Sequence, residues 1–257
     1  MPPATHGAAG SHEAAARLQQ QARSELLQRL QFFELRPRCV LDLGAGTCQG
    51  TLELARRFRR ARTIAVDLSH QMLARAPRTR WWWRRFERVC ADAGALPLAD
   101  ASCDLIFSNL MLQACERLDA LFVELRRVLR PGGLLLFSSF APGTPPELRS
   151  AWARLDPGPL LEQLPDLPQV AEVLMRSGFI EPVIDVERAR EAAGLAIRPE
   201  LLYGAAFASG EGPAVARADS QAIPLDQVRR RLHARGTPAA ENRVIGVLAA
   251  RPSPSLS

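Results

Sequence analysis

Short apolar segments alternate with longer amphipathic segments along the first 140 residues of the chain. The apolar segments have the length and composition of β-strands and cover residues 39–43, 63–68, 88–91, 103–110 and 133–140. Between them, apolar residues recur at helical spacing, which predicts helices over residues 13–33, from the first strand to about residue 60, over residues 69–76 and over residues 118–129. Strands that alternate with helices form βαβ units, so most of the strands are expected to be parallel.

The pattern is less regular after residue 140. It predicts helices over residues 145–156 and 169–177, joined by a proline-rich connection, and a sixth strand over residues 181–186. A seventh strand fits either residues 201–207 or residues 243–249, and the pattern does not separate the two. The expected fold is therefore α/β, with a doubly wound, mostly parallel seven-stranded sheet and helices on both faces.

Length and composition favour one folded domain. The chain has 257 residues, of which 47% are hydrophobic, enough for a single core of α/β size. We predict a disordered N-terminus over residues 1–12, a folded domain over residues 13–207, and a loosely structured tail or last-strand region over residues 208–257. No apolar run has the length of a membrane span, and the N-terminus lacks the pattern of a secretory signal. We expect a cytoplasmic protein.

The charged residues constrain chemistry and partners. All 33 basic residues are arginine, which excludes Schiff-base chemistry through lysine, and the net charge is +6. The positive charge favours an acidic partner or reflects a compositional bias toward arginine. Basic and aromatic residues interleave in residues 78–88, which we interpret as a connector, with no nucleic-acid partner expected. The five cysteines and four histidines are too scattered to predict a metal site.

A glycine pair directly follows the first predicted strand. Gly44 and Gly46 would allow the backbone to turn sharply and to approach a ligand closely, and the next helix offers its amino-terminal N–H groups. The next glycine is Gly50, one position later than the third glycine of the dinucleotide-binding fingerprint. The loop therefore favours a nucleoside without a pyrophosphate over a nicotinamide dinucleotide.

Polar side chains end the next three strands in order. Asp67 ends the second strand, 21 residues after Gly46, where a carboxylate can accept both hydroxyls of a ribose. Asp92 follows the third strand, where it could meet an adenine amino group, and Asn109 closes the fourth strand. The carboxyl ends of parallel strands meet at one edge of the sheet, so these residues together predict a nucleoside site.

Four motifs resemble the class I methyltransferases in their usual order, over about residues 26–140. They are VLDLGAGT, AVDLS, ADAGALPLADASCDLIFSNL and ELRRVLRPGGLLLFSSF. The longer run from SNLMLQ to PELRSAW is similar to the malonyl-acyl-carrier-protein O-methyltransferases of biotin synthesis. The resemblance implies S-adenosylmethionine as the cofactor. It also implies that the cofactor is surrounded by Asp42, Gly44, Gly46, Asp67, Asp92 and Asn109.

The same resemblance implies methylation of the free carboxylate of malonyl-acyl carrier protein, early in biotin synthesis. That carboxylate is ionised at neutral pH, so the transfer needs no general base. An arginine that holds the carboxylate is expected, and Arg149, in PELRSAW, is our candidate for a catalytic role. An acyl carrier protein is acidic and would suit the excess of arginine.

The chain departs from the family pattern at three places. Cys48 stands where the family usually has a third glycine, and His12 and Glu13 replace a Tyr-Asp pair. If residues 201–207 form the last strand, only a short stretch around residues 188–199 remains between the last two strands, where the family inserts a helical segment. These departures leave two alternatives open. One is a methyltransferase of another small molecule or a quinone, and the other is a degenerate nucleoside-binding assembly or regulatory factor without transfer activity. The oligomeric state is left open by the sequence.

Overall fold

Seven strands form one sheet in the computed structural model, which describes residues 7–77, 86–142, 144, 166–188 and 200–209. In chain order the strands are β1 (Cys39–Leu43), β2 (Arg62–Asp67), β3 (Glu87–Cys90), β4 (Cys103–Asn109), β5 (Leu129–Phe140), β6 (Phe179–Arg188) and β7 (Glu200–Ala208). They lie in the order β3-β2-β1-β4-β5-β7-β6. The pairs formed among β1 to β5 are parallel, and β7 is antiparallel to both of its neighbours.

Helices cover both faces of this sheet. They are α1 (Gly7–Arg29), α2 (Gln49–Arg57), α3 (His70–Ala74), α4 (Leu118–Val128) and α5 (Leu167–Arg176). Successive strand residues point to opposite faces, so each strand supplies both cores. Val40 of β1 packs in the core that contains α1, whereas its neighbour Leu41 packs in the core that contains α4 and α5. The predicted doubly wound α/β fold is confirmed.

Local sequence explains where several helices begin. The Ser69 hydroxyl accepts a hydrogen bond from the Met72 N–H and so caps α3. Asp166 and Gln169 form a reciprocal capping box at the start of α5, and Pro168, which we had placed in the proline-rich connection, lies in the first turn of that helix. Proline is tolerated there because the first N–H groups of a helix have no partner within it.

The N-terminal helix is longer than predicted. It begins at Gly7, whereas the predicted helix begins at residue 13, and residues 1–6 lie outside the described residues. Alanine has the highest helix propensity, and each residue added to an existing helix gains a hydrogen bond. Ala8 and Ala9 therefore favour extension of the helix toward the N-terminus.

The seventh strand forms from the first of its two candidate segments. Residues 201–207 lie within β7, which ends at Ala208, one residue beyond the predicted limit of the domain. Residues 243–249, the rest of the predicted tail and the helix predicted over residues 145–156 lie outside the described residues. Of the helices in the described part of the chain, none combines the length and the apolar character that a membrane crossing requires.

Candidate functional site

The strand order reverses between β1 and β4, and a cleft opens at their carboxyl ends. Such a reversal point is where open parallel sheets bind ligands, because the connections leave in opposite directions and expose a crevice. The space in the cleft, together with the open solvent at its mouth, measures about 340 Å³. The residues that matter for its chemistry are Gln19, Arg23, Asp42, Gly44, Gly50 and Asn109. Three of the six predicted cofactor residues thus line one cleft. Gly46 lies in the loop after β1, and Asp67 and Asp92 lie at the ends of the neighbouring strands β2 and β3.

The glycine loop has the conformation that only glycine adopts without strain. Gly44 has a φ of +69° and Gly46 a φ of +53°, both in the left-handed region. The Gly44 N–H donates to the Val66 carbonyl at 2.9 Å, which holds the loop against β2. A Cβ on Gly44 would lie 2.5 Å from Cγ of Met111. The backbone here therefore lies directly beneath Met111, with no room for a side chain.

Cys48 keeps the same left-handed conformation without being a glycine. Its φ is +61°, and it occupies the N-cap position of α2. An L-residue in this region costs about 1–2 kcal/mol, which explains why a glycine is usual at this place in the family. The turn is retained, because the Cys48 N–H donates to the Ala45 carbonyl at 2.8 Å. Burial raises the pKa of the Cys48 thiol to about 11, so it is not a thiolate nucleophile at neutral pH.

Asp67 connects the glycine loop to the start of α3. Its Oδ2 accepts from the Gly46 N–H at 2.7 Å, and its Oδ1 accepts from the Ser69 N–H at 2.8 Å. A carboxylate offers about four acceptor positions, so two further donors can bind to the same side chain. The next residue, Leu68, is 70% exposed, which places an apolar surface beside this carboxylate.

Asp92 lies one strand farther along the same edge. Its Oδ1 accepts from the Gly94 N–H at 2.8 Å, in a turn that directly follows β3. The side chain is exposed, and the Ala91 N–H donates to the Asp67 carbonyl at 3.1 Å. The two carboxylates are thereby held on neighbouring strand ends, in the arrangement predicted from the sequence.

Asp42 is buried beneath the glycine loop. It is 3% exposed and accepts a hydrogen bond from the Thr51 hydroxyl at 2.5 Å. Burial raises the pKa of the Asp42 carboxyl to about 7, against the opposing effects of the Thr51 hydrogen bond and of the Arg23 charge. The cleft thus holds a carboxylate that the surrounding residues compensate poorly when it is ionised, and a cationic ligand group would stabilise its charge.

Replacing Asp42 by asparagine should stabilise the protein in a pH-dependent manner. The pKa of Asp42 is higher in the folded protein than the ordinary value of 3.8. As the pH rises from that value toward 7, the unfolded chain ionises Asp42 more readily than the folded protein does, and the free energy of unfolding falls. We expect the advantage of Asp42→Asn in free energy of unfolding to grow by ~1–3 kcal/mol between about pH 5 and about pH 8. Urea unfolding at several pH values measures it.

The exposed Asp100 supplies the control for this experiment. Asp100→Asn removes a carboxylate that is 78% exposed, and it should leave the pH dependence of unfolding nearly unchanged in this range. A constant difference between Asp42→Asn and the wild type across the pH range would contradict the assigned pKa.

Asn109 links three elements around the cleft. Its Oδ1 accepts from the Ser138 hydroxyl of β5 at 2.9 Å, and its Nδ2 donates to the Gln19 carbonyl of α1 at 3.2 Å. It is 8% exposed. The predicted cofactor residue therefore also fixes α1 across the carboxyl end of β4.

The two polar residues that α1 contributes to the cleft were not predicted. Gln19 and Arg23 lie four residues apart on α1 and so share one face of the helix, beside its buried apolar residues. That spacing was the available signal, but a helix pattern does not state which strand ends the helix crosses. The predicted Arg149 lies outside the described residues, as does most of the segment 78–88, of which Arg88 donates to the Leu73 carbonyl.

The sequence of this chain is similar to known methyltransferases. Residues 41–137 match the family model described as a methyltransferase domain. A malonyl-[acyl-carrier protein] O-methyltransferase from Methylovorus sp. (strain MP688) is 41% identical over 186 residues, which cover 70% of this chain and 63% of that protein. The enzyme of the same name from Halorhodospira halophila (strain DSM 244 / SL1) is 43% identical over 176 residues, 68% of this chain and 60% of that protein. The resemblance inferred from the motifs is confirmed.

Solved structures show the same fold. Phosphoethanolamine N-methyltransferase 2 of Haemonchus contortus, in complex with S-adenosyl-L-methionine, superposes with a TM-score of 0.57 at 21% identity, covering 73% of this chain and 53% of that one. An S-adenosylmethionine-dependent methyltransferase from Mesorhizobium loti gives a TM-score of 0.53 at 24% identity, covering 72% and 96%. The chain spans only 60 to 64% of the length of the malonyl-[acyl-carrier protein] O-methyltransferases that it matches at 40 to 43% identity.

Proposed function

We propose that this chain, whose residues 41–137 match the family model described as a methyltransferase domain, transfers the methyl group of S-adenosylmethionine to the free carboxylate of malonyl-acyl carrier protein. The observation that carries the proposal is the match to the malonyl-[acyl-carrier protein] O-methyltransferases at 41 and 43% identity. The strand ends add chemical support, because Asp67 ends β2 and Asp92 follows β3, and the carboxyl ends of parallel strands are where such a cofactor is expected to bind. The activity would belong to an early step of biotin synthesis.

The residues at the strand ends fit the adenosine half of the cofactor. Asp67 retains acceptor positions for the two ribose hydroxyls, beyond the two backbone N–H groups that it already accepts. Asp92, on the next strand end, is exposed and can accept from the adenine amino group. The exposed Leu68, next to Asp67 in the chain, offers an apolar contact for the adenine ring, a role that the sequence pattern did not predict.

The cleft fits the amino-acid half. S-adenosylmethionine carries a primary ammonium and a carboxylate at that end, and Asp42 supplies the negative charge that an ammonium requires. Gly44 and Asn109 line the same cleft, so the glycine loop and the end of β4 would enclose the chain that leads to the sulfonium. When bound, the cofactor supplies an electrophilic methyl group.

The acceptor side needs little chemistry from the protein. A malonyl carboxylate is already ionised, and its reaction with a sulfonium neutralises both charges, so exclusion of water favours transfer. Leu110, Met111 and Leu112 follow β4 directly, and Leu110 and Leu112 are buried. Gln113 is buried beside them and accepts from the Ser139 hydroxyl at 3.3 Å. These residues would align the acceptor and exclude water, and none of the four is ionisable.

The carrier and the carboxylate-binding arginine are part of the same proposal. The net charge of +6 favours an acidic carrier protein, and Arg149 is the proposed contact for the malonyl carboxylate. The cytoplasmic location predicted from the sequence belongs with this assignment. Because Cys48 preserves the turn of the glycine loop, we favour an active enzyme over a nucleoside-binding factor without transfer activity.

Transfer of a labelled methyl group tests the function. Purified protein is mixed with methyl-labelled S-adenosylmethionine and malonyl-acyl carrier protein, and we expect label in the carrier as an alkali-labile ester. Acetyl-acyl carrier protein, which lacks the free carboxylate, is the matched control and should stay unlabelled. Free malonyl thioester measures the contribution of the carrier. Binding of the cofactor without transfer to the malonyl group would overturn this assignment in favour of one of the two alternatives.

Two variants of the same segment test the assigned arginine. Arg149→Ala should lower kcat/KM for the malonyl carrier about 10- to 100-fold, the loss expected for a charge-assisted contact to a carboxylate. Arg154→Ala, five residues later, is the matched control and should retain activity. Equal losses in the two variants would remove the specific role of Arg149.

A further inference from the structure

Two cysteines meet at the amino-terminal edge of the sheet, at the ends of β1 and β4 that lie away from the cleft. Cys39 is the first residue of β1 and Cys103 the first residue of β4, and their Sγ atoms lie 3.6 Å apart. Both thiols are free, and a disulfide would bring the two sulfurs about 1.5 Å closer together. Neither thiol takes part in the proposed methyl transfer.

An irregularity at the start of β4 brings the two thiols to the same face of the sheet. Val40 of β1 pairs with Leu105 of β4, and both pack in the core that contains α1. In a regular strand Cys103 would share that core with Leu105, because side chains two residues apart point to the same face. Cys103 instead packs with Cys39 in the core that contains α4 and α5. The β4–β5 register shifts between Cys103 and Leu105, and such an irregularity redirects a side chain.

The surroundings of the pair favour ionisation of one of its thiols. A hydrogen bond from the Cys103 thiol lowers the pKa of the Cys39 thiol, and burial opposes it. The charges of Arg62 and Arg130 also lower that pKa, whereas the Asp104 carboxylate raises it. The same hydrogen bond and burial raise the pKa of the Cys103 thiol, which therefore keeps the shared proton. Cys39 is thus the thiol that reacts first, because the thiolate is the nucleophilic form.

The pair lies one residue inside the surface and is held in place by backbone contacts. Cys39 is 6% exposed and follows the exposed Arg38, so a molecule of the size of water has a short path to its sulfur. The backbone N–H groups of Arg38 and Cys39 both donate to Oδ2 of Asp104 at 2.8 Å. These bonds tie the start of β1 to the start of β4, so the two thiols stay together in the folded protein.

We propose that Cys39 and Cys103 form a modification site, at which hydrogen peroxide oxidises the two thiols to a reversible disulfide. The Cys39 thiolate attacks one peroxide oxygen, the O–O bond breaks, and Cys39 becomes a sulfenic acid as hydroxide leaves. Cys103 then loses its proton and attacks the sulfenic sulfur, the S–O bond breaks, and the hydroxyl group leaves as water. In total, two thiols and one hydrogen peroxide give one disulfide and two molecules of water.

The disulfide would close a long loop within the folded domain. Its two cysteines are 64 positions apart, and the segment between them contains the glycine loop, Asp67 and Asp92. A cross-link over a loop of this length restricts the unfolded chain far more than the folded one. Oxidation should therefore make the protein more resistant to unfolding, and a thiol reductant should reverse the effect.

Peptide mapping of the full chain tests the proposal. The protein is treated with hydrogen peroxide under native conditions, the remaining thiols are blocked, and the digest is compared by mass spectrometry with and without reduction. Fragmentation of the cross-linked peptides identifies the two sulfurs. Among the five cysteines, we expect the Cys39–Cys103 pair to account for most of the disulfide and to disappear on reduction.

Urea unfolding measures the consequence for stability. The oxidised wild type should unfold at a midpoint about 1–2 M higher than the reduced wild type. Cys39→Ser and Cys103→Ser should each abolish this difference. Cys90→Ser, which removes the exposed cysteine, is the matched control and should retain it.

The peptide map of the wild type decides the proposal without any variant. Free thiols at both positions after treatment, or separate oxidation of Cys39 to a sulfinic acid, would overturn it. Disulfides spread evenly over the five cysteines would also overturn it, because pairing would then reflect unfolded chains. A Cys39–Cys103 disulfide that leaves the urea midpoint unchanged would overturn the stabilising role. None of these results depends on the proposed methyl transfer.

Discussion

Replacing Asp67 by alanine is expected to lower the affinity for S-adenosylhomocysteine at least about 100-fold. The carboxylate is the proposed acceptor of two ribose hydroxyls, and hydrogen bonds to a charged group contribute about 1.5–3 kcal/mol each. The variant also leaves the N–H groups of Gly46 and Ser69 without the oxygens that hold the glycine loop against α3. Both losses act on the cofactor site, and calorimetry measures their sum.

Asp92→Ala gives the comparison for this result. Asp92 is exposed and its proposed contact is a single adenine amino group, so its loss should be about tenfold or less. Thermal unfolding of both variants without ligand shows whether the loop itself has moved. A loss below about tenfold in Asp67→Ala would contradict the assignment of the ribose to Asp67.

The second large effect is expected in the core, at Gly204 of β7. Gly204 pairs with Phe137 across the antiparallel β5–β7 ladder, and a Cβ at this position would lie 2.2 Å from Cζ of the Phe137 ring. Phe137 is fully buried and packs against Phe122, with ring centroids 6.1 Å apart, so the ring has no free space to enter. In a strand, alanine is usually the better residue by about 0.5–1 kcal/mol. At position 204 we expect the opposite, with alanine less stable than glycine.

Gly204→Ala should therefore lower the free energy of unfolding in urea by about 1–3 kcal/mol, and Gly204→Val should cost more, because overpacking forces the core out of its preferred rotamers. The double variant Gly204→Ala/Phe137→Leu makes room for the new methyl group and should recover part of the loss. Gly94→Ala, in an exposed turn, is the control and should change stability by less than about 0.5 kcal/mol. Additive effects of the two core changes would show that the ring is not the obstacle.

The first strand, β1, could be predicted because its burial is uniform. Residues 39–43 were predicted as a strand and form β1, all five of them buried. Segments that are covered on both faces appear as continuous apolar runs, and such runs are visible without any knowledge of neighbours. The choice of residues 201–207 over residues 243–249 required the pairing of β7 with β5 and β6, which no local pattern contains.

The start of β5 shows how pairing overrides local rules. The sequence pattern predicted a helix over residues 118–129 and a strand beginning at residue 133, but β5 begins at Leu129 and contains Pro131. Pairing shifts between Cys103 and Leu105, whose partners are Leu129 and Leu134, so the proline lies in an irregular part of the ladder. A bulge of this kind leaves residues without ladder partners and so tolerates a residue that has no N–H group.

The site residues at the strand ends were predicted from the sequence, whereas those contributed by α1 were not. Asp42 was found because it precedes the glycine loop, but its burial beneath Thr51 depends on where α2 packs. Arg23 was missed because the helical pattern of α1 identifies only its apolar face. The Asn109 contact to the Gln19 carbonyl, which brings α1 to the cleft, joins residues 90 positions apart in the chain. Contacts of that separation are tertiary and leave no periodic trace in sequence.

Because β7 lies between β5 and β6, the sheet cannot be completed during synthesis until β7 has been made. β6 pairs with β7 and has no contact in the ladder with β5, so it has no place in the sheet until the chain up to Ala208 has emerged. Until then the growing chain exposes the unpaired edge of β5, a ready template for pairing with other chains. We expect a nascent chain that stops before Glu200 to need chaperone protection, and release of residues 200–208 to be the event that closes the sheet.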